Sequence, residues 1–125
     1  MTAPDLRVGP AGLVYNRDGL IPVIAQQFDS REVLMLAWMD AEAVRRTLRT
    51  GAATYFSRSR QEYWVKGETS GHRQRVVEMR YDCDQDCLLL LVDQSGPACH
   101  TGARTCFTDR VLQADAPSAA GDPAE

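Results

Sequence analysis

"QRVVEMRYDCDQDCLLLLVDQ", residues 74–94, holds two runs of strand character on either side of a knot of carboxylates and thiols. The first run alternates, with Val77, Met79 and Tyr81 on one face and Glu78, Arg80 and Asp82 on the other, the period of a half-buried strand. The second, "CLLLLVDQSG", is continuously apolar and reads as a strand buried on both faces. If the first strand carries on through the knot, Asp82, Asp84 and Asp86 point one way and Cys83, Gln85 and Cys87 the other. One segment would then serve two sites, carboxylates for a hard ion such as Mg²⁺ and thiolates for a softer one such as Zn²⁺.

Working outward, "GLIPVIAQQFD" (19–29) and "REVLMLAWM" (31–39) are strand-length apolar runs parted by a turn at Asp29 and Ser30. "DAEAVRRTLRTG" predicts a helix capped by Asp40 and stopped by Gly51. Glu42 lies in its first turn, Arg45, Arg46 and Arg49 towards its negative end, and Ala41, Val44 and Leu48 face a sheet. "ATYFSRSR" is a strand entering a polar loop, and "TDRVL" a last short strand. Strands outnumber helices, which gives an α+β domain on a mostly antiparallel β-sheet with one main helix. The expected domain spans residues 11–113, between a flexible N-terminus (1–10) and a disordered small-residue tail (114–125).

With 125 residues, 44% hydrophobic and 25% charged, the chain can bury a core without disulfides, which leaves its four cysteines for other work. No signal-like segment and no membrane-spanning apolar run is visible, so a cytoplasmic location with reduced thiols is expected. A net charge of −3 argues against nucleic acid as a general partner. Within residues 42–80, however, nine Lys/Arg face four Glu, a basic stretch suited to a polyanionic ligand beside an acidic metal-binding one.

D-x-D-x-D here is no EF-hand, because Cys87 stands where that loop needs glycine and Asp93 where it needs glutamate. Cys83, Cys87, Cys99 and Cys106 could form a four-thiolate zinc site. In an extended strand, though, Cys83 and Cys87 would lie roughly 13 Å apart at about 3.3 Å per residue. The spacing therefore favours Cys83, Cys99 and Cys106 with an open fourth position, as catalytic zinc requires, and leaves Cys87 to packing. His100, beside Cys99, is a candidate proton-transfer group or fourth ligand. In "SRSRQEYWVKGETSGH", Arg58, Arg60, Lys66, Thr69 and Ser70 with the amides around Gly67 and Gly71 suit phosphate, and Trp64 could stack on a base.

Together "TYFSRSR", "WVKGETSGH", "DCDQD" and "ACHTGARTCF" resemble the phosphoribosyl-AMP cyclohydrolase family of histidine biosynthesis, over residues 34–107. The resemblance implies Asp82, Asp84 and Asp86 for magnesium, and Cys83, Cys99 and Cys106 for zinc. It also implies an intertwined homodimer whose zinc site joins the strand cysteine of one subunit to the loop cysteines of the other. Cys87, Thr105 and Tyr63 stand where the family commonly has alanine, serine and leucine. The implied reaction is hydrolysis of the N1–C6 bond of the adenine ring of N1-(5-phosphoribosyl)-AMP, with zinc-bound water attacking C6. His100 is the first choice of general base and His72 the second. Arg58, Arg60, Lys66, Thr69 and Ser70 would hold the phosphates. Some relatives fuse a pyrophosphohydrolase domain, and here that activity is expected in a separate protein. Two other readings compete: a zinc nucleobase deaminase, although H-x-E and P-C-x-x-C are missing, and a non-catalytic zinc module binding RNA through "SRSR".

Overall fold

Apolar alternation builds the centre of the molecule. A computed structural model describes residues 8–115, and in it β1 (Ile21–Gln27) and β6 (Leu88–Gln94) bury every second residue. They lie side by side in parallel, Val23 opposite Leu88 and Gln27 opposite Val92. β2 (Val33–Met39) pairs antiparallel with β1, and β5 (Gln74–Tyr81) antiparallel with β6, giving the order β2-β1-β6-β5. β3 (Thr54–Ser57) and β4 (Glu62–Val65) form a separate antiparallel hairpin. With α1 (Ala41–Thr50) this is the expected α+β fold on a mostly antiparallel sheet; the parallel β1–β6 pair was not foreseen. The expected N-terminal and C-terminal segments lie outside the described residues, apart from 8–10 and 114–115. No helix among the described residues is long and apolar enough to cross a membrane.

Four local expectations change. β6 is one-sided rather than buried on both faces: Leu88, Leu90, Val92 and Gln94 enter the core, whereas Leu89 and Leu91 are half-buried because the opposite face is only partly covered. β5 carries a bulge between Val76 and Glu78, so Val76 packs on the core with Met79 and Tyr81 while Val77 turns outward. On α1 the buried face is Ala43, Val44 and Thr47, and Leu48 is exposed. A hydroxyl wins an inward position there because Thr47 Oγ1 donates to Thr54 O at 3.1 Å and accepts from Thr54 N at 3.0 Å. Those two bonds satisfy backbone groups of β3 that would otherwise be buried unpaired. Residues 108–112 form no strand, and Val111 and Leu112 are exposed.

The helix ends behave as the sequence indicates. Asp40 Oδ1 accepts from Ala43 N at 2.8 Å, and Gly51, at φ 75°, closes the C-terminus with its N–H on Thr47 O. The other oxygen of Asp40 accepts from Tyr63 Oη at 2.7 Å, and the Arg46 guanidinium lies 4.2 Å above the Tyr63 ring. Burial first, and then the Asp40 hydrogen bond, push the Tyr63 phenol up to about 12. One carboxylate thus caps α1 and ties it to β4. Asp40→Ala should destabilise the protein by about 2 kcal/mol, roughly half from the cap and half from the phenol. Tyr63→Phe should cost about 1 kcal/mol. Urea unfolding of both variants checks this, and equal losses would mean that the cap contributes nothing.

Candidate active site

The acidic motif is a turn. β5 ends at Tyr81 and β6 starts at Leu88, so residues 82–87 close a hairpin. Asp82 N donates to Cys87 O at 3.1 Å, Gln85 N to Asp82 O at 3.0 Å, and Gln85 adopts φ 63°. The extended alternation of aspartates against cysteines is therefore lost, and with it the wide separation expected of Cys83 and Cys87. The chain reverses there because β5 and β6 pair antiparallel, and the N-terminal segment holds the bend from outside. Val14 N donates to Gln85 O at 2.8 Å and Gln85 Nε2 to Gly12 O at 2.9 Å.

Asp82, Asp84, Asp86 and Cys83 are all exposed on this turn. Asp82 Oδ1 accepts from Asp86 N at 3.1 Å, which keeps the two carboxyls near each other. Desolvation, and then the charges of Asp82 and Asp84, raise the Asp86 carboxyl above its ordinary range. A divalent cation would relieve that repulsion, so the donor chemistry fits a hard metal. The Cys87 thiol is half-buried and is also raised, by desolvation and by Asp82 and Asp86, which suits a protonated packing residue.

The second group sits in the loop after β6. Ala98 N donates to Arg104 O at 3.0 Å, Cys99 N to Ala103 O at 3.1 Å and Gly102 N to Cys99 O at 3.0 Å, folding 98–104 back on itself. Cys106 N donates to Leu34 O at 2.8 Å and Thr105 Oγ1 to Val33 O at 2.7 Å, docking the loop on β2. The Cys99 and Cys106 thiols lie close enough to influence each other's ionisation. Thr101 Oγ1 donates to Cys99 Sγ at 3.1 Å; with the Thr101 amide, Arg110 and Cys106 it draws the Cys99 thiol down to about 7. Burial and the Cys99 charge raise Cys106, opposed by Lys66 and Arg110. One thiol poised to ionise beside another fits a soft metal. Among the described residues, no group of three or more His, Cys, Asp or Glu side chains converges to hold a metal, so Cys83 does not join this pair within one chain.

Sequence reasoning missed Thr101 and Arg110. Arg110 lies in the stretch expected to be a strand; instead its guanidinium donates to Cys106 O at 2.9 Å. Of the two histidines, His100 is exposed on the loop. His72 lays its ring on Gly96, where an added Cβ would come within 2.6 Å of Cδ2. His72 therefore joins the end of the basic segment to the start of the thiol loop.

The phosphate candidates divide into two groups at opposite ends of the β3–β4 hairpin. Arg58 and Arg60 occupy its turn, Arg58 stacked 4.6 Å above Trp38 and Arg60 paired with Glu62 at 3.5 Å. Lys66, Gly67, Thr69, Ser70 and Gly71 follow the other end of β4. Gly67, at φ 81°, could carry no side chain, since a Cβ would fall 2.4 Å from the His72 carbonyl carbon. Trp64 stacks on Tyr55 at 4.9 Å and separates two clefts. One, of about 340 Å³, has Arg46, Arg49 and Glu68 in its wall; the other, of about 520 Å³, has Leu36, Trp38 and Arg58.

A small α+β domain equipped with a thiol loop, an acidic turn and basic clefts has the apparatus of a hydrolytic enzyme. The family model for phosphoribosyl-AMP cyclohydrolase matches residues 35–108. Proteins named phosphoribosyl-AMP cyclohydrolase are similar over most of their length. The one from Thermobifida fusca is 70% identical over 103 residues, covering 82% of this chain and 89% of its own. That from Paracoccus denitrificans is 68% identical over 103 residues (82% and 85%), and that from Cereibacter sphaeroides 67% over 104 residues (83% and 87%). The chain belongs to the phosphoribosyl-AMP cyclohydrolase family.

Because the Cys99 thiol is held down near 7, metal-free protein should gain thiolate absorbance near 240 nm as pH rises through about 7. That step should vanish in Cys99→Ala and move up in Thr101→Val. A titration with no thiol ionising below pH 8 would contradict the assignment.

Proposed function

We propose that this chain catalyses a hydrolytic step of histidine biosynthesis, opening the adenine ring of N1-(5-phosphoribosyl)-AMP at the N1–C6 bond. It does so as an intertwined homodimer in the cytoplasm, with Cys83, Cys99 and Cys106 holding Zn²⁺ and Asp82, Asp84 and Asp86 holding Mg²⁺. Family membership supports the reaction. The observation that carries the metal arrangement is the thiol pair itself. Two cysteines of the loop influence each other's ionisation, no third ligand joins them among the described residues, and a third thiol stands exposed on the acidic turn. A second copy can bring that turn to the loop. The outward face of the main sheet supports such pairing, since Leu36, Ile24 and Leu89 lie in one row across it and none is fully buried.

Zinc, when bound, supplies the Lewis acidity that activates water at neutral pH. The chain's own residues position and protonate. Arg58 and Arg60 at one end of the hairpin, with Lys66, Thr69 and Ser70 at the other, give two separated anion-binding ends for a substrate with two phosphates. Trp64, between the clefts, offers an aromatic face to the base, whereas the Gly71 N–H is already taken by Gly67 O at 2.8 Å. His100 takes the proton from the attacking water, and a proton reaches N1 as the C6–N1 bond breaks; His72, seated on Gly96, is the alternative carrier.

Cys99→Ser and Cys106→Ser should each lose stoichiometric zinc and ring opening, and a folded variant that keeps both would overturn the zinc assignment. Asp84→Asn should weaken Mg²⁺ dependence and leave zinc in place. Mixing inactive Cys83→Ser and Cys99→Ser subunits should restore roughly a quarter of wild-type activity, because half the dimers regain one intact shared site. No recovery after demonstrated subunit exchange would exclude a shared site. His100→Ala should lower kcat about 100-fold or more, and a larger loss in His72→Ala would transfer the role to His72.

A further inference from the structure

Strand alternation buries three polar side chains in a line. Tyr55 of β3 and Gln74 of β5 are fully buried, and Gln94 of β6 is buried. Tyr55 Oη donates to Gln74 Oε1 at 2.7 Å, and Gln74 Nε2 donates to Gln94 Oε1 at 2.9 Å. Gln94 Nε2 then donates to Gly96 O at 2.9 Å and to Arg104 O at 3.1 Å. Those two carbonyls flank the segment that carries Cys99, and Cys106 follows two residues after the second. One amide nitrogen therefore staples the loop at its neck.

We infer that Tyr55, Gln74 and Gln94 form a directional hydrogen-bond relay that positions the Cys99–Cys106 loop from inside the core. The direction is forced. Carbonyl oxygens only accept, so Gln94 must turn its NH₂ to the loop and its oxygen to Gln74. Gln74 must then donate, which turns its own oxygen to Tyr55, and Tyr55 must donate in its turn. Full burial pushes the Tyr55 phenol far above its ordinary range, so the hydroxyl keeps its proton. Tyr55 also stacks on Trp64, so the relay starts behind a cleft wall and ends at the thiol loop. Partners behind metal ligands commonly set metal affinity in this way. These are positioning residues, since none touches the substrate or the metal.

The inference rests on the proposal that Cys99 and Cys106 hold zinc, and the test separates the two. Gln94→Met and Gln74→Met keep side-chain volume and remove the relay's bonds, and Tyr55→Phe removes only its first donor. In the metal-free full-length protein, the Ala98 and Cys99 amides should exchange about tenfold faster or more in Gln94→Met, while core amides of β1 and β6 keep their protection. Zinc affinity, measured by chelator competition, should fall on the order of 10- to 100-fold. Gln74→Met and Tyr55→Phe should act in the same direction but less strongly. Adding Tyr55→Phe to Gln94→Met should cause little further loss, whereas general destabilisation would add. Unchanged loop exchange and zinc affinity in both glutamine variants would overturn the relay. If Gln94→Met does not fold, wild-type values in Tyr55→Phe and Gln74→Met do the same. Faster loop exchange in a protein that binds no zinc would support the relay and overturn the zinc assignment.

Discussion

Gln94 shares the inward face of β6 with Leu88, Leu90 and Val92, and a primary amide in that position must find partners or cost the fold several kcal/mol. Its backbone N–H is taken by Gln27 Oε1 at 3.0 Å, its side-chain oxygen by Gln74 and its nitrogen by the loop. The two glutamine partners are fixed by strand register, since β1, β5 and β6 lie side by side, and the third is the loop itself. The thiol loop thus inherits its place from the core. A chain that buried its leucines in this register without satisfying Gln94 would strand a polar group in the core.

The acidic turn obtains its position differently. It hangs from the two strands of the β5–β6 hairpin and is steadied by residues 12–14, with its carboxylates turned to solvent. One site is held from inside and the other at the rim. The thiol loop is tied to Gln94 and to β2 by hydrogen bonds, whereas the carboxylates face solvent. That contrast would suit the proposed metals, because thiolate sites for zinc demand fixed tetrahedral geometry and oxygen sites tolerate variation.

Much of this architecture was legible in the sequence. Alternation, the Asp40 cap and the Gly51 stop are local signals, and the elements they predicted are present, whereas the short strand expected at 108–112 is not. What failed depended on pairing. A six-residue stretch reads equally well as strand or turn until its flanking strands are known to pair antiparallel with each other, and only then must "DCDQDC" reverse the chain. The bulge that expels Val77, and the preference of α1 for Thr47 over Leu48, likewise follow from partners distant in sequence. Residues with metal-binding chemistry announced themselves by type. Thr101 and Arg110, which act on the thiols through hydrogen bonds, carry no such mark, and only the folded loop brings them to Cys99.

The chain has two tryptophans, and both line one cleft: Trp38 lies under the Arg58 guanidinium, and Trp64 stands against Tyr55 across from it. Indole emission responds strongly to a nearby cation and to a stacked base. Intrinsic fluorescence in this protein is accordingly a local signal from the two clefts that Trp64 divides rather than an average over the fold. Occupancy of either cleft can be followed in the unlabelled native protein, with Trp38 reporting on only one of them.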